Sequence, residues 1–195
     1  MLKEHFRSRG FIEGGIVHNI NDDAMDMEAL PPFLRTLLVT DGTVTKSLEA
    51  FFWEKIRVEK QWQEPVWLTQ ALPLIDANVG DHALKRDVIL KGETTQDIYA
   101  FATSYLRMDL LDDDVRKQML EGKIGIGELL REIGLETYRE IVDFGREVFQ
   151  ANEHGSGAPE YVEAIYRTYI INISGKPAMQ ITERFPIRLF QKKAK

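Results

Sequence analysis

Two charged residues stand where the surrounding pattern demands apolar side chains. Across residues 178–186 (AMQITERFP), Met179, Ile181, Glu183 and Phe185 share one side of an extended chain, and Ala178, Gln180, Thr182 and Arg184 share the other. Successive strand side chains point to opposite faces, so Glu183 lies on the oily one. Residues 83–91 repeat the anomaly with the opposite sign. There Leu84, Arg86, Val88 and Leu90 form the apolar face, while Lys85 and Asp87 take the solvent side. A buried charge without a partner costs several kcal/mol and must be compensated. Two arrangements would do so. One is a structural Arg86–Glu183 ion pair closing the core, or charges at strand ends bending out to water. The other is a pocket in which an anionic ligand meets the guanidinium and a hydroxyl meets the carboxylate. Periodicity by itself leaves both open.

Other residue patterns offer less chemistry. The run GKIGIG (122–127) superficially resembles a phosphate loop, but a Walker loop needs Gly, four residues, then Gly-Lys-Ser/Thr after a strand, and here a helix precedes. A helix start built of small residues can present backbone N–H groups to a carboxylate, or can simply be capped. Thr43, Thr45 and Lys46 stand at another helix start, with the same two readings. The four histidines, His5, His18, His82 and His154, form no i, i+4 pair and have no carboxylate at ligand spacing, so no metal site is expected. Ser156 lies in a Gly-rich loop outside any Gly-x-Ser-x-Gly elbow. The absence of cysteine excludes disulfides, thiolate catalysis and cysteine zinc sites. Tyr166, Tyr169, Phe185 and Phe190 read as core aromatics.

The elements that must position Arg86 and Glu183 follow from the same periodicities. Residues 1–26 carry glycines and no sustained period and read as a loosely structured lead-in, with a short strand near 11–17; residues 27–195 read as one α+β domain. Helical spacing covers 27–39, with Pro31 and Pro32 in the first turn, and a second helix is expected over 43–52. Period-two alternation predicts strands over 54–62, 83–91 and 97–107. A short helix is expected at 115–121 behind Asp112, Asp113 and Asp114, and another from about 127 to 132. Residues 135–150 fit strand or helix. After the Gly-rich loop 151–159, residues 161–173 and 178–190 read as a hairpin about Ser174–Pro177. Strands joined by hairpins, with helices between them, predict an antiparallel sheet covered by helices on one face.

Composition bounds the partners. With 31 acidic against 25 basic residues the chain carries a net charge of −6, which repels phosphate backbones, and QKKAK (191–195) reads as a solvated tail; nucleic acid is not an expected partner. Hydrophobic residues make up 44% and charged residues 29%, the balance of a globular chain rather than a disordered one. The charges among Met1–Arg7 interrupt what would be a signal core, and no apolar run approaches the ~18 residues of a membrane span. A cytoplasmic location, with no membrane partner, is expected. The sequence sets no oligomeric state.

Four segments, in order, resemble the chorismate lyase (chorismate pyruvate-lyase) family in its broader prokaryotic group: TDGTVTKSLE (40–49), ALKRDVILKG (83–92), GKIGIGELL (122–130) and SGKPAMQITERFP (174–186). That family shares its fold with the effector-binding (UTRA) domains of GntR-type regulators. The resemblance covers roughly residues 31–190. It implies a six-stranded antiparallel sheet with helices on one face and flap segments over an internal ligand pocket. It further implies that Arg86 grips the ring carboxylate of a small anionic ligand, that backbone N–H groups of Val44 and Ile126 assist beside Thr43 and Thr45, and that Glu183 meets the ring hydroxyl. The implied reaction removes pyruvate from chorismate to leave 4-hydroxybenzoate, with Glu183 and Arg86 as catalytic residues and with no metal or organic cofactor. A non-catalytic sensor of aromatic or sugar acids would use the same pocket. Desolvation would raise the pKa of Glu183 and a nearby Arg86 would lower it. The sequence departs from the family at Val44, where one branch has methionine, before Met27, around 151–159, and over 63–81.

Overall fold

The computed structural model of the chain describes residues 15–40, 43–121, 126–127, 130, 137–152 and 158–191, with the backbone alone at 137 and 138. Six strands form one antiparallel sheet: β3 (Ile56–Trp67), β4 (His82–Gly92), β5 (Ile98–Arg107), β6 (Thr137–Gln150), β7 (Tyr161–Ile173) and β8 (Lys176–Pro186), in the order β3-β4-β5-β8-β7-β6. β1 (Ile16–His18) and β2 (Ala24–Asp26) form a separate hairpin. Helix α1 (Pro32–Val39), α2 (Val44–Phe52), α3 (Asp113–Glu121) and α4 (Ile187–Phe190) complete the described elements. This is the α+β architecture that the sequence predicts.

The register decides which side chains share a face, because paired residues on neighbouring strands point the same way. One row runs Arg86–Ser104–Ile181–Tyr169 across β4, β5, β8 and β7, and the next runs Val88–Ala102–Glu183–Arg167. Both rows lie on the face covered by the helices. There Leu34, Leu37, Leu38 and Leu48 of α1 and α2, all fully buried, pack with Leu90, Phe144, Ile165 and Phe185 of the sheet. Val115 and Met119 of α3 cover Leu84, Leu106 and Met179 further along the same face.

Several elements differ from expectation for identifiable reasons. Helix α1 begins at Pro32 rather than Met27, because the residue before a proline is pushed out of the helical region while proline itself suits a first turn. β3 continues to Trp67 through Pro65, which an edge strand tolerates because its outer N–H positions need no partner. The ambiguous stretch 135–150 is a strand from Thr137, with a register shift between Ile141 and Asp143 that breaks its alternation. β8 stops at Pro186, and Ile187–Phe190 is helical, with Phe190 packed among Phe33, Phe52 and Phe185. The β7–β8 connection has only Ser174 and Gly175 between paired Ile173 and Lys176, and both have positive φ (50° and 76°), as a two-residue type I′ turn requires. The sheet is not bare on its second face: Leu68, Leu72 and Ile75 from the loop before β4 are buried against Ala83, Val142 and Ile170.

Residues 15–26 of the expected lead-in are built into the fold. Val17 and Met25 join the core under α1 and α2. The hairpin turn also docks on edge strand β6, where the Ile20 N–H donates to Asp143 Oδ1 at 3.0 Å and the Tyr166 hydroxyl donates to Oδ2 at 3.0 Å. Gly145 pairs with Tyr166, and a Cβ there would come within 2.9 Å of that ring, so glycine makes the crossing possible. The expected segments 1–14, 128–129, 131–136, 153–157 and 192–195 lie outside the described residues. No described helix is long and apolar enough to cross a membrane.

Glu54, just past α2, fixes the β4–β5 turn. Its carboxylate accepts hydrogen bonds from the Tyr99 hydroxyl, from Thr95 Oγ1 at 2.8 Å, and from the Thr94 and Thr95 N–H groups at 2.8 and 3.1 Å. Burial opposes its ionisation, but these bonds, led by that from Tyr99, hold its pKa at about 2. A folded value below the ordinary 4.5 means the stabilisation is complete above pH 4.5 and is lost as pH falls toward 2. Thermal unfolding of a Glu54→Gln variant should therefore lie below that of the parent at pH 6, with the gap closing as pH approaches 2; a gap that is constant with pH would remove Glu54 from the acid response.

Candidate functional site

The strand rows bring two opposite charges to one buried face, and the start of α2 roofs them. Arg86 is 4% exposed and Glu183 8%. β4 and β8 are separated by β5, and the two residues stand one same-face row apart. Standard sheet spacings put their Cα atoms about 12 Å apart, wide enough for something to sit between the side chains. A cavity does lie there, with about 110 Å³ that the centre of a water molecule can reach. That is several times the ~15 Å³ a single water needs.

The six residues singled out from the sequence, Arg86, Glu183, Thr43, Val44, Thr45 and Ile126, all line this one cavity. Val44 and Thr45 open helix α2, whose first N–H groups have no acceptor within the helix. Thr43 stands at the capping position, yet its side chain makes no capping hydrogen bond, which leaves that first turn to other acceptors. Ile126 is buried and helical; the segment 122–125, which would show whether a small-residue helix start faces the cavity, lies outside the described residues. Ser104, Ile181 and Val88 supply the floor.

The cation that touches Glu183 is not Arg86. Arg167 pairs with Glu183 in register on the adjoining strand, and its Nε donates to Glu183 Oε2 at 2.8 Å. The physical reason is proximity: β7 is the immediate neighbour of β8, whereas β4 is two strands away. Arg167 is only 2% exposed. A terminal nitrogen of its guanidinium also donates to the Leu37 carbonyl at 2.6 Å and to the Thr40 carbonyl, both at the end of α1. These are helix-end carbonyls that lack intrahelical donors. One guanidinium thus ties the carboxylate on the floor to the segment that leads into the roof. On the other side, the Tyr169 hydroxyl donates to Glu183 Oε1 at 3.3 Å. Burial pushes the Tyr169 phenol well above its ordinary value, and the charge of Glu183 pushes the same way, so it stays a donor. Burial lowers the pKa of Arg86, yet a guanidinium remains charged.

Arg167, Tyr169 and Arg139 line or support the cavity and were not among the sequence candidates. Arg167 carried the same signal as Arg86, a charge among Ile165, Tyr169 and Ile171 at every second position. The signal was masked because the alternate set, Ala164, Tyr166, Thr168 and Ile170, reads as apolar too, and β7 is indeed buried on both faces. Tyr169, expected in the core, is buried there and also forms part of the cavity wall. Among the described residues no group of three His, Asp or Glu side chains is arranged to hold a metal ion.

Comparison with known proteins places this geometry in context. The family model described as chorismate pyruvate-lyase Rv2949c-like matches residues 38–193. The protein MJ0807 of Methanocaldococcus jannaschii is 29% identical over 157 residues, covering 79% of this chain and 78% of that one. The chorismate pyruvate-lyase of Mycobacterium leprae is 28% identical over 161 residues, 81% of this chain and 76% of its own. Among solved structures, PhnF from Mycobacterium smegmatis superposes with a TM-score of 0.57 at 10% identity, over 76% of this chain and 65% of PhnF; that likeness concerns the fold alone.

Removing Arg167 would leave a buried carboxylate uncompensated. Arg167→Ala should cost about 3–5 kcal/mol in urea unfolding, and Glu183→Ala in the same chain should recover part of that loss. Strictly additive losses in the two single variants and the double variant would show that the two side chains are not coupled.

Proposed function

Because the chain belongs to the chorismate pyruvate-lyase Rv2949c-like family, we propose that it is a lyase that removes pyruvate from chorismate and releases 4-hydroxybenzoate. The observation that carries this proposal is one cavity that has a guanidinium on one wall and a carboxylate across the floor. Chorismate has matching groups: a ring carboxylate, a hydroxyl at C4, and an enolpyruvyl ether at C3. The C3–O bond breaks, the proton on C4 leaves, and the ring becomes aromatic. The departing enolpyruvate takes a proton on its methylene carbon and becomes pyruvate. Atoms balance, and no oxidant or reductant is required.

Each side chain then has a role that its surroundings support. Arg86 binds the ring carboxylate with its planar fork, a geometry that lysine cannot reproduce. The first N–H groups of α2, at Val44 and Thr45, favour negative charge beside them through the same unpaired donors that begin any helix. Ile126 closes the apolar roof. Glu183 accepts from the C4 hydroxyl and assists proton transfer. Oε2 is occupied by Arg167, while among the described residues Oε1 receives the long bond from Tyr169 alone and keeps accepting capacity for the ligand. The apolar lining residues Val88, Ile171 and Ile181 shield the ligand from water and hold the enolpyruvyl ether in a fixed pose for elimination.

Mixing the purified protein with chorismate and following the absorbance of 4-hydroxybenzoate tests the assignment. Product should appear, and Glu183→Ala should lower kcat by about 10²–10⁴. Binding of chorismate with no product would contradict the lyase assignment and leave a ligand-binding module. A separate expectation concerns Arg86→Lys: KM for chorismate should rise about ten- to a hundredfold, the worth of a lost charge-assisted bond. Unchanged affinity in that variant would free Arg86 of its assigned role.

A further inference from the structure

We propose that Arg139 anchors a second carboxylate, so that the cavity selects a substrate with two acid groups held apart by a ring, a specificity that rests on the lyase assignment above. Arg139 lies on β6 and pairs with Ile171 of β7. It lines the same cavity as Arg86, on the same face of the sheet but from the other flank of β8. The strand order places the two arginines on either side of β8, which carries Glu183: β8 is two strands from β4 with Arg86 and two strands from β6 with Arg139. The two arginines start about 20 Å apart at their Cα atoms by standard strand spacing, one same-face row apart, and both line the cavity that lies between their strands.

Two further observations place the Arg139 guanidinium at the cavity. A Cβ added to Gly127, which also lines the cavity, would meet an Arg139 terminal nitrogen at 2.9 Å, so the absence of a side chain at 127 makes room for it. The Arg139 charge also reaches the Tyr169 phenol, where it works with Arg167 against the upward push of burial and of Glu183. A guanidinium has five N–H donors in a planar fork, so Arg139 can receive a carboxylate alongside other contacts.

The chemistry of the substrate fits this division. Chorismate carries one carboxylate on the ring and one on the enolpyruvyl ether, and its two products carry one each. With the ring acid at Arg86 and the C4 hydroxyl at Glu183, the neighbouring ether at C3 directs the second acid toward the remaining wall. Arg139 then binds the half that leaves as pyruvate, and 4-hydroxybenzoate is held by Arg86 and Glu183 without Arg139. Arg139 is a specificity-determining residue in this scheme, separate from the residues that act on the ring.

Equilibrium titration separates these roles. The ligands are 3-carboxymethoxy-4-hydroxybenzoate, which has both acids and cannot eliminate, and 4-hydroxy-3-methoxybenzoate, which has the ring acid only. The parent protein should bind the diacid about tenfold or more tightly than the monoacid. Arg139→Gln should abolish that preference while changing monoacid binding less than about twofold, and Arg139→Lys, which keeps a charge, should restore part of it. Equal affinity of the parent for the two ligands, or equal weakening of both in Arg139→Gln, would overturn the proposal; so would failure of the parent to bind either. Should Arg139→Gln not fold, the parent's preference and its partial loss in Arg139→Lys decide the matter. Turnover of chorismate, measured on the same preparations, keeps the two claims apart. An Arg139-dependent preference without turnover supports the diacid site and removes the lyase, whereas turnover without that preference removes the diacid site alone.

Discussion

The buried pair of Arg167 and Glu183 is the contact on which the rest of the site depends. A carboxylate on the inner face of a sheet is tolerable only beside a cation that also has its own hydrogen bonds satisfied. Arg167 meets both conditions: one edge of its fork faces Glu183, and another nitrogen faces the carbonyls of Leu37 and Thr40. The negative end of the α1 dipole adds to the stabilisation of that cation. Three parts of the chain far apart in sequence therefore converge on one guanidinium, and the segment leading into Thr43, Val44 and Thr45 starts from a fixed point.

This arrangement separates two tasks that a single ion pair would merge. Had Arg86 paired directly with Glu183, the charges would have cancelled each other and the space between them would have closed. Because Arg167 takes the carboxylate from the side, Arg86 faces the cavity from two strands away. Well-packed apolar residues in place of such charges are often as stable or more so. Their presence here is better understood as a means of recognising a polar ligand on a largely apolar face than as a source of stability. The apolar core supplies the stability, in the leucines of α1 and α2 packed on the sheet.

Much of this was legible in the sequence where one face of a strand is wet and the other dry. β4 and β8 alternate cleanly, and alternation alone exposed Arg86 and Glu183 as charges facing inward. Thr43 and Thr45 could be placed at a helix start, but Val44 and Ile126 came from resemblance to a family, since nothing in their own types points to a ligand. Arg167 was hidden because β7 is buried on both faces, so its two sets of alternate residues look alike. Arg139 was hidden because a bulge between Ile141 and Asp143 breaks the period of β6 and left its face undetermined. The short strand expected near 11–17 overlaps β1, but its pairing with β2 was not legible because the strands have three residues each, too few for any period, and their hold on the sheet comes from Asp143 and Tyr166, distant in sequence.

The central claim is that a hydroxylated aromatic acid lies between Arg86 and Glu183 with its two ends distinguished. A crystal structure with bound 4-hydroxybenzoate tests this most directly. The account predicts the carboxylate in the Arg86 fork and the hydroxyl on Glu183, with the Arg167–Glu183 bond intact beneath it. A ligand bound in the reverse sense, or seated outside this cavity, would contradict it.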